Sequence, residues 1–142
     1  MLNKTSLTLG RVLLGLYFLL PGLSKIPQYD MMLNYMSLHQ VPMVNVLLPL
    51  TIVLQVGGGL MLIFGYRIRE AALTMAALTV LINLGMHDFW NSYPNTDAGH
   101  ETQNFVKNMG IFAGLLVLSV SAQLPQWRWF GKSNNGGVAR GN

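Results

Sequence analysis

Long uncharged runs set the pattern of this chain. No Asp, Glu, Lys or Arg occurs between Asp30 and Arg67, between Glu70 and Asp88, or between Lys107 and Arg128. A helix crosses the hydrocarbon of a bilayer with roughly 17–25 mostly apolar residues, because every backbone N–H and C=O must find its partner inside the segment. Four stretches meet that requirement, at about 7–23, 42–65, 71–89 and 105–124. Arg11 interrupts the first, close enough to its end to snorkel toward the headgroups. Between the second and third lies only Arg67-Ile68-Arg69-Glu70 after Gly65-Tyr66, which makes those two spans a tight antiparallel hairpin. The first connection has a pattern of its own. After Pro27, a suitable first helical residue, Tyr29, Met32, Leu33 and Met36 recur at i, i+3, i+4 and i+7, with Asp30, Asn34 and Ser37 opposite. That periodicity predicts a short amphipathic helix lying in the interface and ending before Val41-Pro42. The prediction is an all-α membrane protein: a four-helix bundle within residues 1–124, with one interfacial helix between spans 1 and 2.

The third connection, from Asp88 to Gln103, is rich in turn formers and reads as a polar loop. After Gln123, Pro125-Gln126-Trp127-Arg128-Trp129-Phe130 reads as an interfacial anchor, and 132–142 as a Gly/Asn/Ser-rich disordered tail. The competing reading of the first run is a cleaved leader ending at Gly22-Leu23-Ser24. Arg11 lies late for a leader's charged region, and cleavage would leave three spans.

Composition supports the membrane reading. Only 10% of the residues are charged, against roughly 25% in a soluble domain, and the mean hydropathy is +0.40. Too little polar surface remains to cover a soluble fold, which excludes a nucleotide-binding α/β domain or a sequence-reading DNA binder. The net charge of +4 needs no nucleic acid, because anchoring Lys and Arg account for it. The absence of cysteine excludes disulfides, thiolate metal sites and persulfide chemistry on this chain.

With four spans, both termini and the second connection share one side. That side holds seven of the nine Lys and Arg; the other holds Lys25 and Lys107. Positive charge concentrates on the cytoplasmic side, so both termini are expected there, in an inner membrane. His39, His87, His100, Asp30, Asp88, Asp97 and Glu101 then fall on the outer side.

Polar groups inside a bilayer are costly and demand a reason. Asn83 and His87 share a face of the third span, and Asn104, Lys107 and Asn108 share one at the start of the fourth. Asp88 and Lys107, at coinciding ends of antiparallel neighbours, are expected to pair. His87, Asp88 and Lys107 are thus the candidates for proton chemistry. Asn83, Trp90, Asn104 and Phe105 are the candidates for ligand contact, Phe105 and Trp90 forming an aromatic slot with Phe89. The plainer reading, which their position at a boundary favours, is interhelical hydrogen-bond glue. Arg11, Gln55 and the Gly110/Gly114 pair are expected to serve helix packing. His87, His100, Asp97 and Glu101 lack the spacing of a metal site, so no metal is expected. A single span histidine gives no bis-His haem, and the nine methionines read as core filling.

In their order and spacing these features resemble the DoxX family of small four-span bacterial membrane proteins. The likeness rests on Arg11 opening a span that closes in Gly22-Leu23-Ser24-Lys25, and on the Met- and Tyr-bearing segment before Val41-Pro42. It continues in the glycine-rich second span ending at Gly65, in His87-Asp88-Phe89-Trp90, and in Asn104-Phe105-Val106-Lys107-Asn108-Met109-Gly110. It covers about residues 6–123. The resemblance implies association with terminal oxidase or quinone oxidoreductase systems and a link to quinone or catechol stress. Without cysteine, any sulfur transfer would belong to another subunit.

Three functions follow as expectations. An accessory subunit of a membrane redox complex, docked to other subunits or to its own copies in the lipid bilayer, needs an apolar docking face and no catalytic set; it is the preferred reading. A quinone- or phenol-handling oxidoreductase would use His87 and Asp88 as a proton relay, with quinone as a reversibly bound cofactor. A small-molecule transporter would show internal repeats, and none is visible.

Overall fold

Gly15 and Gly22 on the first helix press against Gly59 and Val56 on the third, and this contact organises the bundle. A Cβ at Gly15 would lie 2.7 Å from the Gly59 carbonyl oxygen, and one at Gly59 would lie 2.8 Å from the Gly15 carbonyl oxygen. Reciprocal glycines therefore let two backbones meet where any larger side chain would hold them apart. The computed structural model describes residues 2–123 in five helices: α1 (Leu2–Ser24), α2 (Tyr29–Leu38), α3 (Val44–Phe64), α4 (Ile68–Met86) and α5 (Ala98–Ser121). There is no strand among the described residues. Four of the helices, all but α2, are long and apolar enough to cross a membrane. The expected tryptophan-bearing anchor and the tail lie outside the described residues.

The long helices form a ring. α1 packs on α3, α3 on α4, α4 on α5 and α5 back on α1, while α2 rests on α3. Between them lies a core of Phe18, Leu62, Met75, Leu115 and Leu118, with Ala72 and Ala76 giving α4 its flat face. Met75 fills the space left by Gly58 on α3.

Arg11 does not snorkel. It is fully buried, and its guanidinium donates to the carbonyls of Leu62 and Ile63 at 2.6 and 3.1 Å. Those carbonyls belong to the last turn of α3, where helix carbonyls lack intrahelical partners and the dipole is negative. Gly65 adopts a left-handed φ of 73° and closes the same end with a Schellman pair, Tyr66 N–H to Met61 O and Gly65 N–H to Leu62 O. Gly110 and Gly114 also differ from expectation: a Cβ at either would meet nothing within 4 Å. They lie on a face of α5 turned away from the bundle, and the close packing falls to Gly15, Gly22, Gly58 and Gly59 instead.

α2 matches the periodicity that predicted it. Met36 is buried, Tyr29, Met32 and Leu33 are half-buried, and Asp30, Asn34 and Ser37 are exposed. Two boundaries shift. α4 ends at Met86, so that His87 and Asp88 leave the helix axis. α5 begins at Ala98, well ahead of Phe105, because Asp97 caps it by accepting from Gly99 N–H at 2.9 Å.

Candidate functional site

These boundary shifts create the polar end of the bundle, where α2 meets the last residues of α4 and the first turns of α5. The Asp97 cap brings Glu101 onto the first turn of α5, buried and turned inward. Its carboxylate accepts from His87 Nδ1 at 2.6 Å and from the Tyr35 hydroxyl at 2.7 Å. A carboxylate only accepts, so the proton of the His87 ring sits on Nδ1 and Nε2 is left for another partner.

A second histidine–carboxylate pair stands beside the first. His39, at the end of α2, donates from Nδ1 to Asp88 Oδ1 at 2.7 Å, and both are buried. Asn91 and Tyr93 donate to the other oxygen of Asp88 at 2.7 and 2.5 Å. Burial raises the Asp88 carboxyl, but the bonds from Asn91, Tyr93 and His39 outweigh it and hold the group below its ordinary range. Tyr93 is pushed up by donating to Asp88, and Tyr35 is pushed up by burial and by its bond to Glu101. The His39 ring lies between these tyrosines, with centroids 4.6 Å from Tyr35 and 4.4 Å from Tyr93. Its Nε2 is buried without a hydrogen-bond partner among the described residues.

The expected Asp88–Lys107 pair is absent. Asp88 turns toward His39 because α4 has already ended, while Lys107 donates to Asn104 at 3.0 Å, one turn earlier on its own helix. His87 and Asp88, though adjacent in sequence, belong to different pairs. Asn83 is buried; it donates to the Phe105 carbonyl at 3.0 Å and accepts from Asn108 at 3.1 Å. Asn108 in turn accepts from the Tyr17 hydroxyl at 2.7 Å, so α1, α4 and α5 are laced together. Phe89, Trp90 and Phe105 pack edge to face on one another, with centroids 5.3–6.0 Å apart. They make a closed cluster beside the site and no open slot. His100 is exposed, and no three His, Asp or Glu gather as a metal would need among the described residues.

Inside this end lies a cavity of about 260 Å³. Its polar lining includes His87, Lys25, Tyr35, Asn104, Lys107 and Asn108, together with the uncharged Tyr17, Thr51 and Thr79; its apolar lining includes Phe18, Leu48, Ile82 and Met86. Of the candidates, His87, Lys107 and Asn104 reach it, whereas Asp88, Asn83, Trp90 and Phe105 do not line it. Gln55, buried near the middle of α3, accepts from Lys25 at 2.9 Å and lines it as well. Sequence reasoning missed Tyr35, His39 and Glu101 as site residues. A signal existed: Tyr35 and His39 are one turn apart on α2, and Glu101, Asn104 and Asn108 share a face once α5 is started at Asp97.

Fold and site together define a four-span helical membrane protein with a histidine–carboxylate pair opening on a small cavity at one end of the bundle. The chain matches the DoxX family model over residues 6–88. It is 32% identical over 120 residues to the inner membrane protein YqjF of Escherichia coli (strain K12), covering 84% of this chain and 86% of that protein. It belongs to the DoxX family. No solved structure matches it.

Proposed function

We propose that this protein binds a small phenolic or quinol ring in the cavity at the α2 end and accepts the ring's hydroxyl proton on His87. The observation that carries this reading is the His87–Glu101 pair set against a mostly apolar cavity. A base held in one tautomer by a carboxylate is the usual arrangement for taking a proton from a bound hydroxyl. The size suits one substituted ring, since a dry cavity of roughly 150 Å³ already holds benzene. The ligand O–H would break, the proton would pass to Nε2, and Glu101 would face the resulting imidazolium.

The location follows the same lines. The similarity to an inner membrane protein supports placement in a bacterial inner membrane, and the Lys/Arg asymmetry supports cytoplasmic termini with the cavity at the opposite side. A second reading, docking to a redox complex as an accessory subunit, is favoured by the open α5 face at Gly110 and Gly114. It predicts a stoichiometric redox subunit in mild-detergent preparations.

The test is calorimetric titration of the purified protein with methylhydroquinone. His87→Gln should keep the helical content and elution volume of the wild type and lose binding by about tenfold or more. A folded His87→Gln that binds as well as the wild type removes the proton-accepting role.

A further inference from the structure

The cavity is lopsided in charge. Lys25 and Lys107 bring two ammonium groups to its lining, and no carboxylate lines it. Glu101, behind His87, is already engaged by His87 and Tyr35. Neither lysine belongs to an ion pair among the described residues.

The two cations are not equivalent. Lys107 is exposed on α5, where water screens it. Lys25 is half-buried just past the end of α1 and is held by two neutral acceptors, Gln55 Oε1 at 2.9 Å and the Pro21 carbonyl at 3.2 Å. An ammonium has three protons to donate. Two are placed on neutral oxygens from different helices, which fixes the group in position and leaves its charge without a counter-charge. Burial pushes it below its ordinary value of 10.5, as expected of a desolvated cation lacking an anion. A cation so placed is worth more to an incoming anion than one in water, because the local dielectric is lower.

We infer that the cavity takes its ring ligand as an anion and that Lys25, fixed by Gln55, is the group that reads the negative charge. The ligand class is an acidic phenol or hydroxyquinone with an apolar ring. This rests on the reading of the cavity as a ring site with His87 as proton acceptor. The proton leaving the ligand oxygen forms the N–H bond at Nε2, and the electron pair left on oxygen is balanced by the Lys25 ammonium. A ligand already ionised in solution needs Lys25 alone.

The experiment compares 4-nitrophenol with its neutral methyl ether, 4-nitroanisole, by equilibrium dialysis of the full chain in uncharged detergent, at pH values below and above the phenol's ionisation. The wild type should bind the phenolate at least about tenfold more tightly than the ether. The yellow phenolate absorbance should also persist to lower pH in the bound ligand than in free solution. Lys25→Met should bring the two affinities within about twofold of each other, and Lys25→Arg should keep the preference. Lys107→Met should keep it as well. Equal wild-type affinity for phenolate and ether overturns the inference, and so does an undiminished preference in folded Lys25→Met. The wild-type ratio decides even if Lys25→Met does not fold. The two readings separate through His87→Gln. A preference surviving in that variant at alkaline pH supports the Lys25 assignment whatever His87 does at acid pH. Loss of the absorbance shift in His87→Gln alone concerns only the proton acceptor.

Discussion

Asp88 accepts three hydrogen bonds, from His39, Asn91 and Tyr93, and thereby ties the end of α2 to the connection that follows α4. Removing the carboxylate strands the buried His39 N–H, a loss on the order of 1–3 kcal/mol. Asp88→Ala should therefore lower the thermal midpoint in detergent clearly, and Lys107→Ala should barely move it, since Lys107 is exposed and bonds only to Asn104 on its own helix. The reverse order would restore the Asp88–Lys107 pair. The pH dependence follows from the depressed carboxyl. A group whose folded value lies below its ordinary 3.8 stabilises the fold above that value and ceases to do so as pH falls through the lower folded one. An acid transition below about pH 4, followed by tryptophan fluorescence, is expected in the wild type and should be smaller in Asp88→Asn, where the Glu101 carboxylate bonded to His87 and Tyr35 remains to be protonated. Identical acid profiles would mean that another group sets it.

At the scale of helices, α1 and α3 are held by glycine contact and by Arg11 on the last turn of α3. Arg11→Met keeps the bulk and removes the donors to Leu62 and Ile63; Leu62 O keeps its bond from Gly65 N–H, and the loss at Ile63 O costs about 1–3 kcal/mol. Gly59→Leu should disrupt folding, because its Cβ alone would meet the Gly15 carbonyl oxygen and Leu19. Gly110→Leu should be tolerated by the isolated chain, since nothing lies within 4 Å. Gel filtration and thermal melts of the three variants check this; a destabilised Gly110→Leu would place a partner on that face. Much of this level was legible beforehand. Long apolar runs mark the four long helices, because the hydrocarbon disfavours unpaired backbone and charge, and the Tyr29–Met36 spacing marks α2. The start of α5 was not, because Ala98–Gln103 is polar and its helix depends on the Asp97 cap. Nor was the fate of Arg11, Gly110 and Gly114, since residue type does not say which side of a helix finds a neighbour. The site was half legible for the same reason. His87 and Asn104 could be picked out as polar groups at a span end, but the choice of Glu101 for His87 and of His39 for Asp88 is made by how α2 lies over the bundle.

For the whole molecule, the ring of four helices is open at the α2 end to a cavity whose wall mixes a base, an ammonium and apolar side chains. Its side of the membrane is set by topology. In this cysteine-free chain, Ser92→Cys should react with a membrane-impermeant maleimide on intact spheroplasts and Tyr66→Cys should not; the opposite pattern inverts the protein. The central claim is that the cavity at the α2 end of the bundle binds a phenolic ring at His87, and the most direct measurement of it is a crystal structure of the protein soaked with 4-bromophenol, the bromine located by its anomalous scattering. One strong bromine peak is expected inside the cavity lined by Phe18, Leu48 and Ile82, with the phenol oxygen within hydrogen-bond distance of His87 Nε2. An empty cavity at saturating ligand, or bromine peaks only on the lipid-facing surface, would contradict it.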